Sequence, residues 1–279
     1  MTETRAATEP RYIVRFGRAE RVQHGILMTS FLALAATGLP LLFSGEAWAG
    51  VLARLLGGFV FAGLLHRFFA LALIGVFVFH VGWLAYRIFV KKERGMLWGP
   101  ASMSPQPRDL IELYQHVKWF LRVGPRPEFD RFTYWEKFDY WAVFWGMFII
   151  GGSGLMLWFP ELFSWFVPGW IFNIAMLVHG EEALLAVGFI FTIHFFNGHL
   201  RPEKFPMDLV IFTGRVSEEE FRHERSLELA RLAARGVHID ALIGTPPNPR
   251  LLRWGRLGGT VAVTVGLSLF VMIIYAFLN

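Results

Sequence analysis

Six histidines lie in or at the ends of long apolar stretches, where an imidazole needs a physical reason to be present. They are His24, His66, His80, His179, His194 and His199. Burying such a side chain in hydrocarbon without a partner costs several kcal/mol, so these positions are functional candidates. The chain has no cysteine, which excludes thiol catalysis, cysteine-ligated clusters and thioether-bound haem. Any metal site must therefore use His, Met or carboxylate ligands.

The spacing of four of these histidines fits a pair of metal centres. His66 and His80 are 14 residues apart, about 21 Å of helix and close to four turns, so they share a face. His179 and His194 are 15 residues apart, about 22 Å, and are rotated by roughly 60°. Two helices each offer two imidazoles at matching heights. Bis-imidazole ligation of two stacked haems needs this arrangement, because each iron takes one neutral imidazole from either side.

The residues alone leave the partner of His194 open. Depth in the membrane favours His24 as that partner, because His24 lies one turn inside its helix. The helix face that His80 shares with His66 favours His80 instead. Helix–helix hydrogen bonding is the plainer alternative for any single membrane histidine. A zinc or di-iron centre would need ligands within a turn or two. Only His194 and His199 approach that spacing, so two haems are the better interpretation.

The elements that must position these side chains are membrane spans. The chain is 54% hydrophobic and only 18% charged, which is typical of an integral membrane protein rather than a soluble domain. A spanning helix needs about 20 largely apolar residues. Five stretches qualify, at residues 22–43, 61–90, 138–160, 170–199 and 257–279.

Positive charges set the expected orientation. Lys and Arg cluster before the first span, between spans two and three, and between spans four and five, while the connections 44–60 and 161–169 contain only Arg54. The positive-inside rule then places the N-terminus in the cytoplasm and the C-terminus on the periplasmic side of a bacterial inner membrane. Basic residues between apolar runs do not indicate nucleic-acid binding. The polar start lacks the apolar core of a signal peptide, so we expect it in the mature protein.

The expected organisation is a four-helix membrane domain with polar segments around it. The segments are a cytoplasmic N-terminus at 1–21, a four-helix domain at 22–200 with a cytoplasmic loop at 91–137, an amphipathic segment and linker at 201–256, and a final span at 257–279.

Two polar segments have helical signals of their own. In residues 108–123, Leu110, Tyr114, Val117 and Leu121 recur on one side of an amphipathic helix. Residues 217–236 begin with Ser217 and Glu220 in the pattern of a capping box. Both could lie along the membrane surface or dock a partner, and we favour packing at the surface.

Several strings in the chain resemble a known family. "RFGRAERVQHGILMTSFLALAATGLPLLF", with Arg21 three residues before His24 and Thr37-Gly38 near its end, resembles the first helix of the di-haem cytochrome b subunits of formate dehydrogenases, nickel–iron hydrogenases and thiosulfate reductases. "LLHRFFALAL" and the fourth helix with two histidines also look like this family. "RFTYWEKFDYWAVFWGMFIIGGSGLMLWFP" and "HFFNGHLRPEKFPMD" are more closely similar to cytochrome b subunits found beside multihaem c-type cytochromes. The resemblance covers roughly residues 11–215.

The resemblance implies a set of ligands and a fold. It pairs His24 with His194 and His66 with His179 as axial ligands of two haems b. It implies an all-α bundle of four helices around the haems, with the fifth helix outside the common core. His80 and His199 depart from the plainer members of the family. They are candidates for a quinone pocket, for a replaced ligand or, with less support, for a third haem.

The resemblance also implies a function. The chain looks like the membrane-anchoring subunit of a respiratory oxidoreductase, which passes electrons between quinone or quinol and a partner subunit rather than acting as a stand-alone enzyme. A multihaem cytochrome c and an iron–sulfur protein both suit that partner. Glu181, Glu182 and His199 are candidates for proton handling at a quinone, or the glutamates hydrogen-bond His179. Arg201 and Lys204 hold a haem propionate or mark the membrane surface.

Two other classes of function remain open from the residues. A proton-coupled transporter would use the His and Glu side chains as a relay. A structural anchor would use the histidines to pack its helices. Bound haem, visible as colour, separates the electron carrier from both.

Overall fold

The computed structural model describes residues 10–279, and most of these residues are helical. Five helices are long and apolar enough to cross a membrane. We number them spans 1 to 5: Arg18–Leu42, Phe59–Val90, Tyr134–Trp158, Trp170–Leu200 and Pro249–Leu278. The prediction of an all-α integral membrane protein is confirmed. Span 5 begins at Pro249 rather than near residue 257, as suits proline at a first helical position.

Shorter helices, π-helical turns and three short strands complete the fold. The shorter helices are Ala47–Leu55, Pro107–Phe120, Pro160–Phe163, Val210–Thr213, Glu218–Glu224 and Ser226–Ala233, with 3₁₀ turns at Arg94–Met96 and Ile239–Leu242. The π turns lie within spans 2, 3 and 4, at Tyr86–Val90, Met147–Gly151, Ile190–His194 and Phe196–Leu200. The strands are β1 (Tyr12–Val14), β2 (Arg215–Ser217) and β3 (Ile243–Gly244).

The described chain forms two compact units. The polar unit comprises residues 10–21, 91–138 and 209–255, and the membrane unit comprises residues 22–90, 139–208 and 256–279. The polar unit thus collects three segments that are far apart in the sequence.

A small antiparallel sheet joins two of those segments, residues 10–21 and 209–255. Its strand order is β2-β1-β3, with Ile13 opposite Val216 on one side and opposite Ile243 on the other. Ile13, Val216 and Phe221 form the buried core beneath it. The predicted cap is present, since Ser217 Oγ accepts a hydrogen bond from the Glu220 N–H over 3.2 Å. The helix that it begins ends at Glu224, and Arg225 interrupts the segment before a second helix.

Buried ion pairs hold the polar unit together as well. Glu228 accepts hydrogen bonds from Arg15 Nη1 (3.3 Å) and Arg131 Nη1 (3.2 Å). Asp130 accepts from Arg231 Nη2 over 2.8 Å. Burial, together with the nearby charge of Arg225, lowers the pKa of Arg15 to about 10. Arg15 therefore remains charged at neutral pH, and the pair with Glu228 is ionic.

Spans 1, 4 and 5 supply the buried core of the membrane unit. Leu39 of span 1, Phe191 of span 4 and Leu269 of span 5 belong to one apolar cluster. A Cβ placed at Gly266 of span 5 would come within 2.6 Å of Phe195 in span 4. The fifth helix, which the family resemblance left outside the common core, is therefore packed closely against span 4.

Candidate functional site

The rings of His66 in span 2 and His179 in span 4 are neighbours in the membrane unit. Their ring centroids are 6.2 Å apart, with an angle of 75° between the ring planes. Two imidazoles that bind one metal ion from opposite sides have ring centres about 6.4 Å apart, because a metal–nitrogen bond is about 2 Å long and the nitrogen lies about 1.2 Å from the ring centre. The separation of the two rings therefore matches what a shared iron requires.

Hydrogen bonds fix the tautomer of both rings. Thr37 Oγ1 donates to the Ala33 carbonyl over 2.7 Å, so its oxygen accepts from His66 Nδ1 over 3.0 Å. The carbonyl of Ile150 can only accept, and it lies 2.9 Å from His179 Nδ1. Each Nδ1 therefore carries a proton, and each Nε2 keeps a lone pair. In a metal-ligating histidine, the ring nitrogen that does not bind the metal usually donates a hydrogen bond of this kind, which fixes the tautomer and the ring orientation.

Two glycines allow close approach to these rings. A Cβ at Gly38 would lie 3.0 Å from His66 Cε1, and a Cβ at Gly154 would lie 2.9 Å from His179 Cε1. Real Cβ atoms essentially never show a contact under 3.0 Å, as at Gly154, and a contact of 3.0 Å, as at Gly38, is tighter than nine in ten real ones. Gly38 and Gly154 therefore let the backbones of spans 1 and 3 approach these imidazoles closely.

A second group of histidines lies further along span 4. His24 of span 1 is within electrostatic range of His194 and His199. His194 Nδ1 donates to Asp139 Oδ2 over 2.8 Å, so the lone pair of this ring lies on Nε2. His199 Nδ1 is buried without a hydrogen-bond partner among the described residues.

His80 is engaged differently from the other membrane histidines. Its Nδ1 lies 2.8 Å from Gln23 Oε1, and its Nε2 lies 2.9 Å from the hydroxyl of Tyr140. Both ring nitrogens are therefore used in hydrogen bonds. Gln23, one of these two partners, directly precedes His24 in span 1.

The π turns change the positions of the histidines and their partners around the helix axes. The turn Ile190–His194 lies between His179 and His194. Because a π turn takes up one extra residue, the separation of the two histidines is equivalent to about 14 α-helical residues and a rotation of roughly 40°. The turn Met147–Gly151 contains Ile150, whose carbonyl binds His179. Helical irregularities of this kind are frequent at functional sites.

Comparison with known proteins identifies a family for this chain. Residues 15–201, about two thirds of the chain, match the family model described as prokaryotic cytochrome b561. The chain belongs to the prokaryotic cytochrome b561 family. No curated protein matches the chain closely enough to be named beside it.

Membership of the cytochrome b561 family establishes the general function. The protein is a membrane haem b electron-transfer protein, and its five spanning helices make it a multi-pass protein of a bacterial membrane. Within residues 10–279, no group of three or more His, Cys, Asp or Glu side chains is arranged to hold a metal ion.

The polar residues that were predicted near the site have other contacts in this cytochrome b561 family member. Glu182 Oε2 accepts from Trp145 Nε1 over 3.1 Å, and Glu181 is exposed. The alternative in which a glutamate hydrogen-bonds His179 is therefore wrong, because Ile150 and Ser153 provide the acceptors.

Lys204 forms an ion pair with Asp208 at 3.1 Å. Arg201 follows directly after span 4.

Sequence reasoning missed most of the groups that orient the imidazoles. Asp139, Gln23, Tyr140 and Ser153 were not singled out. Asp139 carried a usable signal, since a carboxylate inside an apolar span is costly unless it is paired. The others are common polar residues of membrane helices, and only the fold reveals their contacts.

Proposed function

We propose that this cytochrome b561 family member binds two haems b and carries electrons across the membrane between the quinone pool and a redox partner subunit. His66 and His179 would hold the first haem, and His24 and His194 would hold the second. The observation that supports this best is the pair of neighbouring rings 6.2 Å apart, each with Nδ1 bonded to an acceptor.

The hydrogen bonds of His194 and His80 are the basis on which we choose the second ligand pair. His194 has an acceptor on Nδ1 and an available Nε2, whereas both nitrogens of His80 are already engaged. His24 is the histidine near His194 that lies on a different helix from it. We therefore assign His80 a supporting role through Gln23 and Tyr140.

Haem iron supplies reversible one-electron chemistry when it is bound. The residues of this chain hold the imidazoles in one tautomer, exclude water from the membrane unit and set the ligand strength. Thr37 and Ile150 are neutral acceptors, whereas Asp139 is an anionic one. The two ligand pairs are separated by about 21 Å along span 4, so together they reach across most of a bilayer core about 30 Å thick.

The ends of this electron path are inferred from the family resemblance and the charge pattern. The second ligand pair lies towards the cytoplasm if the basic connections are inside. His199, whose Nδ1 is buried without a partner among the described residues, is the candidate hydrogen-bonding group for a quinone. The redox partner is a multihaem cytochrome c or an iron–sulfur protein. The C-terminus then lies on the periplasmic side.

Haem stoichiometry in purified variants tests the assignment. We expect two haems b per wild-type chain, and one in each of His66→Ala, His179→Ala, His24→Ala and His194→Ala. His80→Ala is the matched control and retains both haems. A pyridine haemochrome assay with protein quantification gives the count, and reduced-minus-oxidised spectra report the intact site. Loss of a haem in His80→Ala, or two haems in His66→Ala, would contradict the assignment.

A further inference from the structure

The surface helix Pro107–Phe120 of the polar unit has its polar side inside and its apolar side outside. Glu112 is only 3% exposed, whereas Leu110 is 71% exposed and Tyr114 is 63% exposed. A helix on the surface of a soluble domain has the opposite arrangement, with its apolar stripe facing the core. The reversal indicates that water is not the normal neighbour of the outer side.

The exposed side forms a continuous apolar stripe. Its members follow the i, i+3, i+4, i+7 spacing of one helix face and continue past the end of the helix: Leu110, Leu113, Tyr114, Val117 and Leu121. Each of them is at least 41% exposed. Contiguous exposed patches of this kind mark interaction sites.

Buried polar contacts prevent the helix from turning its stripe inward. Lys137 Nζ donates to Asp109 over 2.7 Å, and both side chains are mostly buried. On the same side of the helix, His116 Nδ1 lies 3.0 Å from the hydroxyl of Tyr134. A rotation that buried Leu110 would break these contacts and bring buried charges into water. The outward direction of the stripe is therefore a stable property of the polar unit.

Chain connectivity and charge indicate what covers the stripe. Span 2 ends at Val90 and span 3 begins at Tyr134, so both ends of this connection enter the same surface of the membrane. Lys118 Nζ lies 5.5 Å from the ring centroid of Tyr114, and Arg122 is exposed just beyond the helix. An apolar stripe with an interfacial tyrosine and cations beside it is typical of helices that lie in the headgroup region of a bilayer.

We propose that the apolar stripe is a lipid-binding surface, which lies at the boundary between the headgroups and acyl chains of the bilayer. Lys118 and Arg122 contact anionic headgroups beside it. This inference is independent of the haem ligands, and its test does not use haem content or electron transfer.

Site-directed spin labelling of the full-length protein in vesicles tests this surface. The sequence contains no cysteine, so a single cysteine can be introduced at one position at a time. Leu110→Cys and Val117→Cys place the label on the stripe. Gln115→Cys is the matched control, because Gln115 is exposed on the same helix but points well away from the stripe. Power-saturation measurements compare collisions with oxygen, which concentrates in lipid, and with a water-soluble nickel chelate.

Lipid contact predicts that labels at 110 and 117 are accessible to oxygen and protected from the nickel chelate, whereas the label at 115 collides with both. Nickel accessibility at 110 and 117 equal to that at 115 would overturn the proposal. Protection of the stripe in detergent micelles at high protein concentration, accompanied by dipolar coupling between labels, would also overturn it and would identify a second copy as the occupant.

The contribution of the cations is measured in vesicles of two compositions. With phosphatidylglycerol present, the label at 117 should lie deeper than in pure phosphatidylcholine. Lys118→Gln combined with Arg122→Gln should abolish that difference. If the protein that keeps Lys118 and Arg122 shows the same label depth in both lipids, the proposed contact of these two side chains with anionic headgroups is refuted.

Discussion

His194 of span 4 donates a hydrogen bond from Nδ1 to Oδ2 of Asp139 in span 3, over 2.8 Å. The corresponding acceptors of the other proposed ligand pair, Thr37 Oγ1 and the Ile150 carbonyl, are neutral. A carboxylate partner makes an imidazole a stronger electron donor to iron and stabilises the oxidised form. The two sites should therefore differ in reduction potential, with the His194 site lower for this reason.

Asp139→Asn tests that difference. The amide keeps an acceptor for Nδ1 but removes the negative charge, so we expect the potential of the His194 site to rise. The expected change is on the order of 50 mV, since 59 mV corresponds to a tenfold change in a one-electron equilibrium. Optical redox titration of the purified protein measures both haems at once. The haem at His66 and His179 serves as the internal control, and an equal shift of both haems would contradict a local effect.

Gly154→Ala should impair the first haem site. The added Cβ would lie 2.9 Å from His179 Cε1, so the ring must move away from its position opposite His66. We expect a substantial loss of haem from this site, measured as haem per protein. Gly152→Ala is the matched control two residues away, because a Cβ there has nothing within 4 Å. Equal haem content in the two variants would show that the close approach is unimportant.

Glu112 should make the stability of the polar unit depend on pH. Burial, only partly offset by Arg108, raises the pKa of Glu112 from 4.5 to about 7. The folded state then binds more protons than the unfolded state between these two values. The free energy of unfolding therefore falls as the pH rises from about 4.5 to about 7. The full difference corresponds to roughly 3 kcal/mol.

Glu112→Gln mimics the protonated acid and should remove this component. Thermal unfolding of the full-length protein in detergent at pH 5, 6, 7 and 8 provides the measurement. We expect the variant to match the wild type at pH 5 and to exceed it progressively towards pH 8. A constant difference between the two proteins at all four pH values would refute a titration of Glu112 in this range.

Glu228→Ala should destabilise the polar unit strongly. The substitution leaves Arg15, which is 5% exposed, without its carboxylate partner. Breaking a buried ion pair by removing one partner costs about 3–5 kcal/mol. Limited proteolysis of the full-length protein should show earlier cleavage within residues 209–255. Glu219→Ala provides the exposed control, and cleavage at the same rate in both variants would be inconsistent with the buried pair.

The membrane helices were predictable from sequence because their signal is local. An apolar run long enough to cross a bilayer specifies a spanning helix whatever its neighbours are, and all five were found. The same holds for the cap at Ser217, whose partner Glu220 lies within one turn. The spacing of His179 and His194 predicts their rotation about the helix axis only for a regular α-helix, and the π turn between them changes it.

The polar unit was predictable only in pieces. The surface helix was expected from the period of Leu110, Tyr114 and Val117, but periodicity does not tell which face is buried. Here the buried face is the polar one, because Asp109 meets Lys137 from another helix. The sheet was missed for a similar reason, since each strand is two or three residues long and gains its hydrogen bonds from segments about 200 residues apart.

The sequence by itself determined that this protein spans a membrane five times and carries six imidazoles within or beside the spans, because hydropathy and composition act along the chain. Only the tertiary structure decided which side chains the imidazoles contact. His66 meets His179, His80 is held by Gln23 and Tyr140, and His194 is held by Asp139. These relationships depend on contacts between different helices, and the period of one helix contains no information about the side chains that face it.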